Sequence, residues 1–379
     1  MIRLKSGKIK VAVGLSGGVD SAVAAALLKK QGYEVIGVFM KLWAEKSPRT
    51  DLVRENVCCS LEAATAARAV SEKLKIPFYV LNLEEEFKKA VVDYYIREYE
   101  EGRTPNPCVI CNRDIKGEVL LKKVLALKAD YLATGHYARV AGKCKMQNAK
   151  CKIKEYYLYR AKDKTKDQTY FLWMLKQKHL SQMLFPIGDY LKSEVRRMAK
   201  KWQLPTATRK ESQGICFIPD RDICGFLRRH AGKLSQPGPI VGSHGHQLGL
   251  HAGLINYTIG QRERLGIGGS QAYYVLELKS KTNTLVVGEA SELYERKLIA
   301  GDLNWINPLA GSQQPAANGL GAMIRYRHPI ESCQLEAVSG RQMKVVFQRP
   351  QRAITPGQSI VFYQGEKVLG GGVIQKGGI

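Results

Sequence analysis

The chain has 379 residues, 45% hydrophobic and 25% charged, with 36 glycines, enough for two or three domains that each bury a core. Lysine and arginine number 59 against 34 acids, a formal charge of +25. That surplus points to a polyanionic partner, nucleic acid before membrane, and no run reaches the roughly 18 apolar residues of a spanning helix.

The N-terminal apolar stretch is broken by Gly14, Gly17 and Gly18 and does not read as a signal peptide, so a cytoplasmic setting is expected. The run 9–13 predicts a buried parallel strand, 14–20 a tight loop and 21–28 an Ala-rich helix. Glycines let backbone N–H groups approach an anion closely, and the following helix offers unpaired N–H groups and the positive end of its dipole. Ser16 and Ser21 add hydroxyls, and Asp20 is a candidate Mg²⁺ ligand beside a polyphosphate. No lysine follows where the Walker loop G-x-x-x-x-G-K-S/T needs one, so γ-phosphoryl transfer is not expected.

Strands at 33–40, 78–83 and 131–134 alternate with helices at 61–74, 84–101 and 117–127. This alternation predicts an α/β doubly wound parallel sheet, with the loops after Val13, Phe39 and Ala133 facing one site. Residues 141–170 hold nine basic side chains against three acids, interleaved with Tyr156, Tyr157, Tyr159 and Tyr170. That pattern suits phosphate contacts with stacking, and equally a solvated β-hairpin. A second basic stripe, 192–210, falls on a helix ending before Pro205, and 219–233 reads as a short helical connection. From Gly238 short glycine-rich strands predict a small β-rich middle domain, and 322–374 a terminal β-barrel or sandwich, with a loop at 315–321. The expected domains are 1–215, 216–280 and 281–379. His244, His246 and His251 sit among glycines with no cysteine nearby, and a non-metal role is expected for them.

Nine cysteines, an odd and scattered set, argue for reactive or metal-bound thiols over a disulfide framework. Two sites stand out. Cys108 and Cys111 follow two prolines in RTPNPCVICN at 103–112, and Cys216 lies in the turn GICF at 214–217. Cys58, Cys59, Cys144, Cys151, Cys224 and Cys333 have no assigned role.

The string Ser16-Gly17-Gly18-Val19-Asp20-Ser21 resembles the PP-loop of ATP pyrophosphatases, which cleave ATP between the α- and β-phosphates and adenylate a substrate oxygen. Together with the cysteine sites, the chain resembles the tRNA-specific 2-thiouridylases over nearly its whole length. The resemblance includes GLSGGVDS at 14–21, GVFMKLW at 37–43, ATGHYAR at 133–139, KDQTYFL at 166–172, FPIGD at 185–189, YTIGQRERLGIGG at 257–269, IRYRH at 324–328 and TPGQSIVFY at 355–363.

The resemblance implies that the C2 oxygen of the wobble uridine of tRNA is adenylated by Mg-ATP and then replaced by sulfur. Cys216 would carry a persulfide, and Cys111 would be the nucleophile that releases its sulfur through a transient disulfide with Cys216. Gly14, Leu15, Ser16, Gly17, Gly18, Val19, Asp20, Ser21, Met40 and Gly135 would contact ATP. Asn106, Pro107 and Cys108 would surround the target base, and His136, Lys166, Asp167, Gln168, Arg325, Tyr326 and Gln358 would contact tRNA. A sulfur-relay protein or a cysteine desulfurase would supply the sulfur. Well-studied members of the family carry Asp where this chain has Cys108, so the general acid/base of that position is missing here. Cys108, Cys111 and Cys216 are then an alternative ligand set for an iron–sulfur cluster of the four-iron type, with one iron open to a labile sulfide. Two rivals are a PP-loop enzyme that adenylates a small molecule, and an RNA-binding protein that uses ATP only structurally.

Overall fold

A computed structural model describes residues 8–46, 53–54, 60–147, 150–210, 214–218, 220–268, 272–307, 319–339 and 341–377. Cys58, Cys59, the 211–213 part of the second cysteine motif, Pro219, Gly269 and most of the 315–321 loop lie outside these residues, as do the side chains of Cys144 and Cys151.

The first element pair forms as the apolar pattern dictates. Strand β1 (Lys10–Gly14) carries fully buried Val11, Ala12 and Val13, and helix α1 (Val19–Lys30) opens after a loop of four residues. The helix has almost no polar face. Val19 and the run from Ala22 through Leu28 are all buried, because the helix packs against β1, against β2 (Glu34–Lys41) and against two further helices, α2 (Leu61–Leu74) and α5 (Lys192–Lys201). A helix that is apolar all round belongs inside a layered domain.

Strands β3 (Phe78–Asn82), β4 (Tyr131–Ala133) and β7 (Met183–Leu184) complete a five-stranded parallel sheet in the order β3-β2-β1-β4-β7. The order turns back at β1 and β4, and ligands of doubly wound sheets sit outside the carboxyl ends at such a switch point. Between β3 and β4 the chain runs through α3, built from Glu84–Phe87, a π-helical Lys88–Val92 and Asp93–Glu100, and then through α4. Helix α4 starts at Pro107, passes through a π-helical stretch at Cys111–Leu120 and ends at Ala126. It is thus ten residues longer at its start than the expected 117–127, and both cysteines of RTPNPCVICN lie on it. The basic stretch after β4 is a long hairpin of β5 (Ala138–Gln147) and β6 (Lys150–Arg160).

The chain divides into two compact units. The first comprises the described residues of Met1–Val92, Cys108–Arg221 and Glu366–Val368, and holds the parallel sheet and the hairpin. The second, Asp93–Pro107, Asp222–Gly365 and Leu369–Ile379, opens with helix α6 (Ile223–His230). A four-stranded sheet follows, β9-β8-β11-β10, made of β8 (Gly238–Gly242), β9 (Gln247–His251), β10 (Tyr274–Lys279) and β11 (Thr284–Gly288). The remaining six strands are β12 (Tyr294–Trp305), β13 (Leu320–Met323), β14 (Glu331–Ser339), β15 (Gln342–Arg352), β16 (Ser359–Gln364) and β17 (Lys367–Gly377). They run in the order β12-β15-β14-β13-β16-β17, and β12 pairs with β17 to close a barrel. Closure removes the exposed sheet edges that an open antiparallel sheet would present. Leu298, Val345, Phe347, Ile360, Phe362 and Ile374 fill its interior.

Candidate active site

The loop between β1 and α1 is shaped by contacts that only particular residues tolerate. Gly17 has φ +71°, and a Cβ there would lie 2.4 Å from the carbonyl oxygen of Ala63. Neither the backbone conformation nor the space admits a side chain. The Gly17 carbonyl accepts from Arg209 Nη1 at 3.1 Å, while Nη2 of the same side chain pairs with Glu62 at 3.0 Å. Ser21 Oγ accepts from the Ser16 N–H at 3.2 Å and lies 3.2 Å from the Gly18 carbonyl and 3.4 Å from Ser16 Oγ. Gly18 caps α1 without a side-chain hydrogen bond, so the first turn presents its N–H groups to the loop, the arrangement that binds phosphate. Leu15 and Val19 are buried in the core, so only their backbone can face a nucleotide. Met40 is half-buried at the end of β2.

The loop after β4 meets this one. A Cβ on Gly135 would fall 2.7 Å from the Ser21 nitrogen and 2.8 Å from the Asp20 carbonyl carbon, so the two loops touch backbone to backbone. Asp20 itself is engaged. Its Oδ1 accepts from Lys192 Nζ at 2.7 Å and from the Tyr137 hydroxyl at 3.0 Å, and Oδ2 accepts from Lys192 at 2.8 Å. Three of the carboxylate's roughly four acceptor sites are thus taken by protein donors, and a site on Oδ2 stays open to a cation.

Gln168 and Asp167 brace the neighbouring backbone. Gln168 accepts the Tyr137 N–H at 2.9 Å through Oε1. Asp167 is buried and accepts from the Ala161 N–H at 2.9 Å, from Thr169 Oγ1 at 2.7 Å and from Arg160 at 3.2 Å. Lys166 is half-buried on the same turn.

His136, next to Gly135, is held between Thr134 Oγ1, 2.7 Å from Nδ1, and Lys116 Nζ, 3.3 Å from Nε2. Removal from water and the adjacent Lys116 charge hold its pKa well below the ordinary histidine value. The ring is therefore neutral at physiological pH, with Nε2 accepting from the ammonium and Nδ1–H donating to the threonine hydroxyl.

The thiols of Cys108 and Cys111 ride on the first turns of α4. Pro107 supplies a φ suited to the first helical position and gives up an N–H that the helix start does not use. Cys108 is exposed and Cys111 half-buried, while Val109, Ile110, Asn112 and Ile115 anchor the helix inward. Cys216 is half-buried on a turn pinned by Phe217, which is buried and packs edge-on against Phe87 with centroids 5.9 Å apart. All three are thiols. Among the described residues no group of three or more His, Cys, Asp or Glu side chains is arranged to hold a metal ion. Cys108, Cys111 and Cys216 are not among such groups, although in an iron–sulfur cluster each thiolate would bind its own iron.

In the second unit, the segment leading to Asn106 and Pro107 is fixed by Gln358, whose Nε2 donates to the Thr104 carbonyl at 2.9 Å, and by the Thr104 N–H, which donates to the Pro356 carbonyl at 2.9 Å. Asn106 and Pro107 are buried. Arg325 donates to the Ala353 carbonyl at 3.0 Å, and Tyr326 lies under the Arg327 guanidinium at 5.2 Å. Both ring nitrogens of buried His251 are spent on backbone, Nε2 on the Asn283 carbonyl at 2.9 Å and Nδ1 on the Gly253 N–H at 3.0 Å.

Sequence reasoning did not single out Tyr137, Lys192, Arg209, Thr134 or Lys116. Lys192 and Arg209 were legible only as members of a basic stripe, yet both turn toward the phosphate loop.

The fold and this loop define an adenine-nucleotide-using domain of the PP-loop kind. Residues 9–220 match the tRNA methyl transferase HUP domain, 225–289 the tRNA methyl transferase PRC-barrel domain and 295–374 the aminomethyltransferase beta-barrel domain. The chain is 47% identical over 374 residues to a tRNA-specific 2-thiouridylase MnmA of Carboxydothermus hydrogenoformans, covering 98% of each chain. It is 45% identical over 368 residues to the protein of the same name from Lachnoclostridium phytofermentans, covering 97% of this chain and 99% of that one. Among solved structures, a 4-thiouridine synthetase–RNA complex with bound ATP aligns at 19% identity over 58% of this chain and 50% of that chain, with a TM-score of 0.33. The chain belongs to the tRNA-specific 2-thiouridylase family.

Proposed function

We propose that the protein is a tRNA-uridine 2-sulfurtransferase: it adenylates the C2 oxygen of the wobble uridine with ATP and replaces that oxygen by sulfur, giving 2-thiouridine, AMP and diphosphate. The observation that supports this reading most is the backbone contact of Gly135 with Ser21 at the N-terminus of α1. It makes a phosphate cradle with no Walker lysine, in the same unit as the three thiols of Cys108, Cys111 and Cys216.

The chemistry requires both parts. A pyrimidine C2 oxygen is a poor leaving group. Its attack on the α-phosphorus of ATP breaks the bond to diphosphate and turns it into the oxygen of AMP. The terminal sulfur of a Cys216 persulfide then attacks C2, and the C2–O electron pair departs on AMP. Attack of the Cys111 thiolate on the Cys216 sulfur leaves the outer sulfur on the base and closes a Cys111–Cys216 disulfide. A reductant must reopen that disulfide, and a sulfur-relay protein or cysteine desulfurase must reload Cys216. An unperturbed thiol is only a few per cent thiolate at neutral pH, so the reaction requires a setting that favours the thiolate. Exposed Cys108 cannot supply the carboxylate acid/base chemistry of an Asp there. Mg²⁺ accompanies the nucleotide with Asp20 as a candidate ligand, and the persulfide route needs no cluster. The charge of +25 suits tRNA, whose binding to the basic surface is expected to weaken steeply with salt.

The test is nucleoside mass spectrometry after anaerobic incubation with unmodified tRNA, Mg-ATP and a persulfide donor. Wild-type protein is expected to form 2-thiouridine and Cys216→Ser none. Diphosphate release that is indifferent to tRNA would replace this reading by adenylation of a small molecule.

A further inference from the structure

Lys116 is a cation with no anion. Its Nζ donates to Asn112 Oδ1 at 2.9 Å and to His136 Nε2 at 3.3 Å. Both partners are neutral, and no carboxylate pairs with it among the described residues. The side chain is half-buried, and its third N–H has no protein acceptor among those residues. Its two partners are themselves fixed: Asn112 is buried and donates to the Phe171 carbonyl at 3.0 Å, and His136 is tied to Thr134. An ammonium drawn partly out of water costs free energy unless an opposite charge meets it. The surrounding residues hold the charge in place without neutralising it.

The position of this charge says which anion it awaits. His136 follows Gly135, whose backbone lies against Ser21 at the phosphate-binding end of α1. On the other side, Lys116 stands five residues after Cys111 in the π-helical stretch Cys111–Leu120, about one turn further along the same helix. Lys116 thus joins the nucleotide loop to the helix that carries the thiols.

We propose that Lys116 binds the α-phosphoryl group of the nucleotide as it passes from ATP to the adenylated base and leaves as AMP. This rests on the sulfurtransferase reading for its catalytic consequence. In the adenylated base the phosphoryl group is a diester with one negative charge. When sulfur attacks C2 and the C2–O electron pair moves to the leaving oxygen, AMP acquires a second charge. A fixed cation meets that growing charge more strongly than the ground state, so it accelerates departure more than it tightens ATP binding. His136 and Asn112 are positioning residues that hold the ammonium in place.

The experiment compares wild type with Lys116→Met and Lys116→Arg. For Lys116→Met, kcat for 2-thiouridine formation is expected to fall at least about 100-fold, with the KM for tRNA changed by less than about threefold, and Lys116→Arg is expected to recover most of the loss. Binding of AMP alone, followed by titration calorimetry, should weaken at least about tenfold in Lys116→Met and much less in Lys116→Arg. AMP affinity equal to wild type in a folded Lys116→Met protein overturns the proposal, as does a loss of activity confined to the KM for tRNA. If wild type makes no 2-thiouridine, the reaction assignment fails, and the AMP titration still decides the role of Lys116.

Discussion

Lys192 grips both carboxylate oxygens of Asp20, at 2.7 and 2.8 Å, across 172 residues of sequence. The ammonium is nearly buried and sits over the Tyr137 ring at 5.7 Å. Without it, a bare carboxylate at the first turn of α1 would repel the triphosphate that the loop is built to receive. Lys192→Met is expected to raise the KM for ATP at least about tenfold while leaving the KM for tRNA within threefold, and to cost about 1–3 kcal/mol of stability because Asp20 loses its partner. Steady-state kinetics with each substrate varied separately, alongside urea denaturation, will check this. An unchanged KM for ATP would mean that the pair only joins α5 to α1.

Much of this architecture was readable from the sequence because it depends on local patterns. The strand, glycine loop and helix at 9–28 form where periodicity puts them, and Leu61–Leu74 has the bounds that its apolar spacing dictates. The convergence of the loops after β1 and β4 follows from parallel topology alone. The start of α4 departs from the expected residue 117. Two prolines before Cys108 suggest a stiff approach, yet the second occupies the first helical turn, where proline is well suited, so the helix begins there. Nothing in the sequence reports the π stretch that follows. The sequence shows 192–210 only as a basic stripe on a helix, whereas Lys192 and Arg209 are drawn inward by Asp20, Gly17 and Glu62, partners far away in sequence. Pairings of this kind depend on tertiary structure that no short window contains.

Gly135 is required for the close approach of two loops, with a φ that other residues could adopt. Gly135→Ala should therefore push the Gly135–His136 backbone away from Ser21, against which a Cβ would lie 2.7 Å away. The expected cost is about 1–3 kcal/mol of stability and a loss of nucleotide affinity of about tenfold or more. Gly249→Ala, where nothing lies within 4 Å of the new Cβ, is the control and should change neither. Fluorescent ATP-analogue titrations of both variants will separate the two outcomes.

His136 gives a pH dependence with a definite sign. Desolvation, reinforced by Lys116, depresses its folded-state pKa well below 6.5. The unfolded chain then binds a proton that the folded chain refuses as pH falls below about 6.5. The stability contributed by the neutral ring is fully present above that value and is lost as pH falls toward the folded-state pKa. The urea midpoint should decline between pH 7 and 5, and the decline should be shallower in His136→Asn. If wild type and variant have parallel profiles, the ring is protonated in the folded protein and does not accept from Lys116.

The thiols divide by environment, and their reactivity should divide with them. Cys333 is 4% exposed in the barrel interior, and burial, with a smaller contribution from Glu331, pushes its pKa up to about 12. At pH 8 only about one molecule in ten thousand carries the thiolate there, and the alkylating reagent cannot reach it. Cys108 is exposed at the start of α4. Iodoacetamide at pH 8 should label Cys108 in the native protein and leave Cys333 unmodified until denaturant is added, as read by peptide mass spectrometry. The same burial has a thermodynamic consequence. Because the folded thiol holds its proton to about pH 12 and the unfolded one only to about 9, the stability it contributes is fully present below pH 9. It falls as pH rises between those values, by at most about 1.4 kcal/mol per unit. Cys333→Ala should flatten this alkaline decline and leave 2-thiouridine formation at the wild-type level. Rapid native labelling of Cys333 would instead show that the barrel opens on the timescale of the reagent.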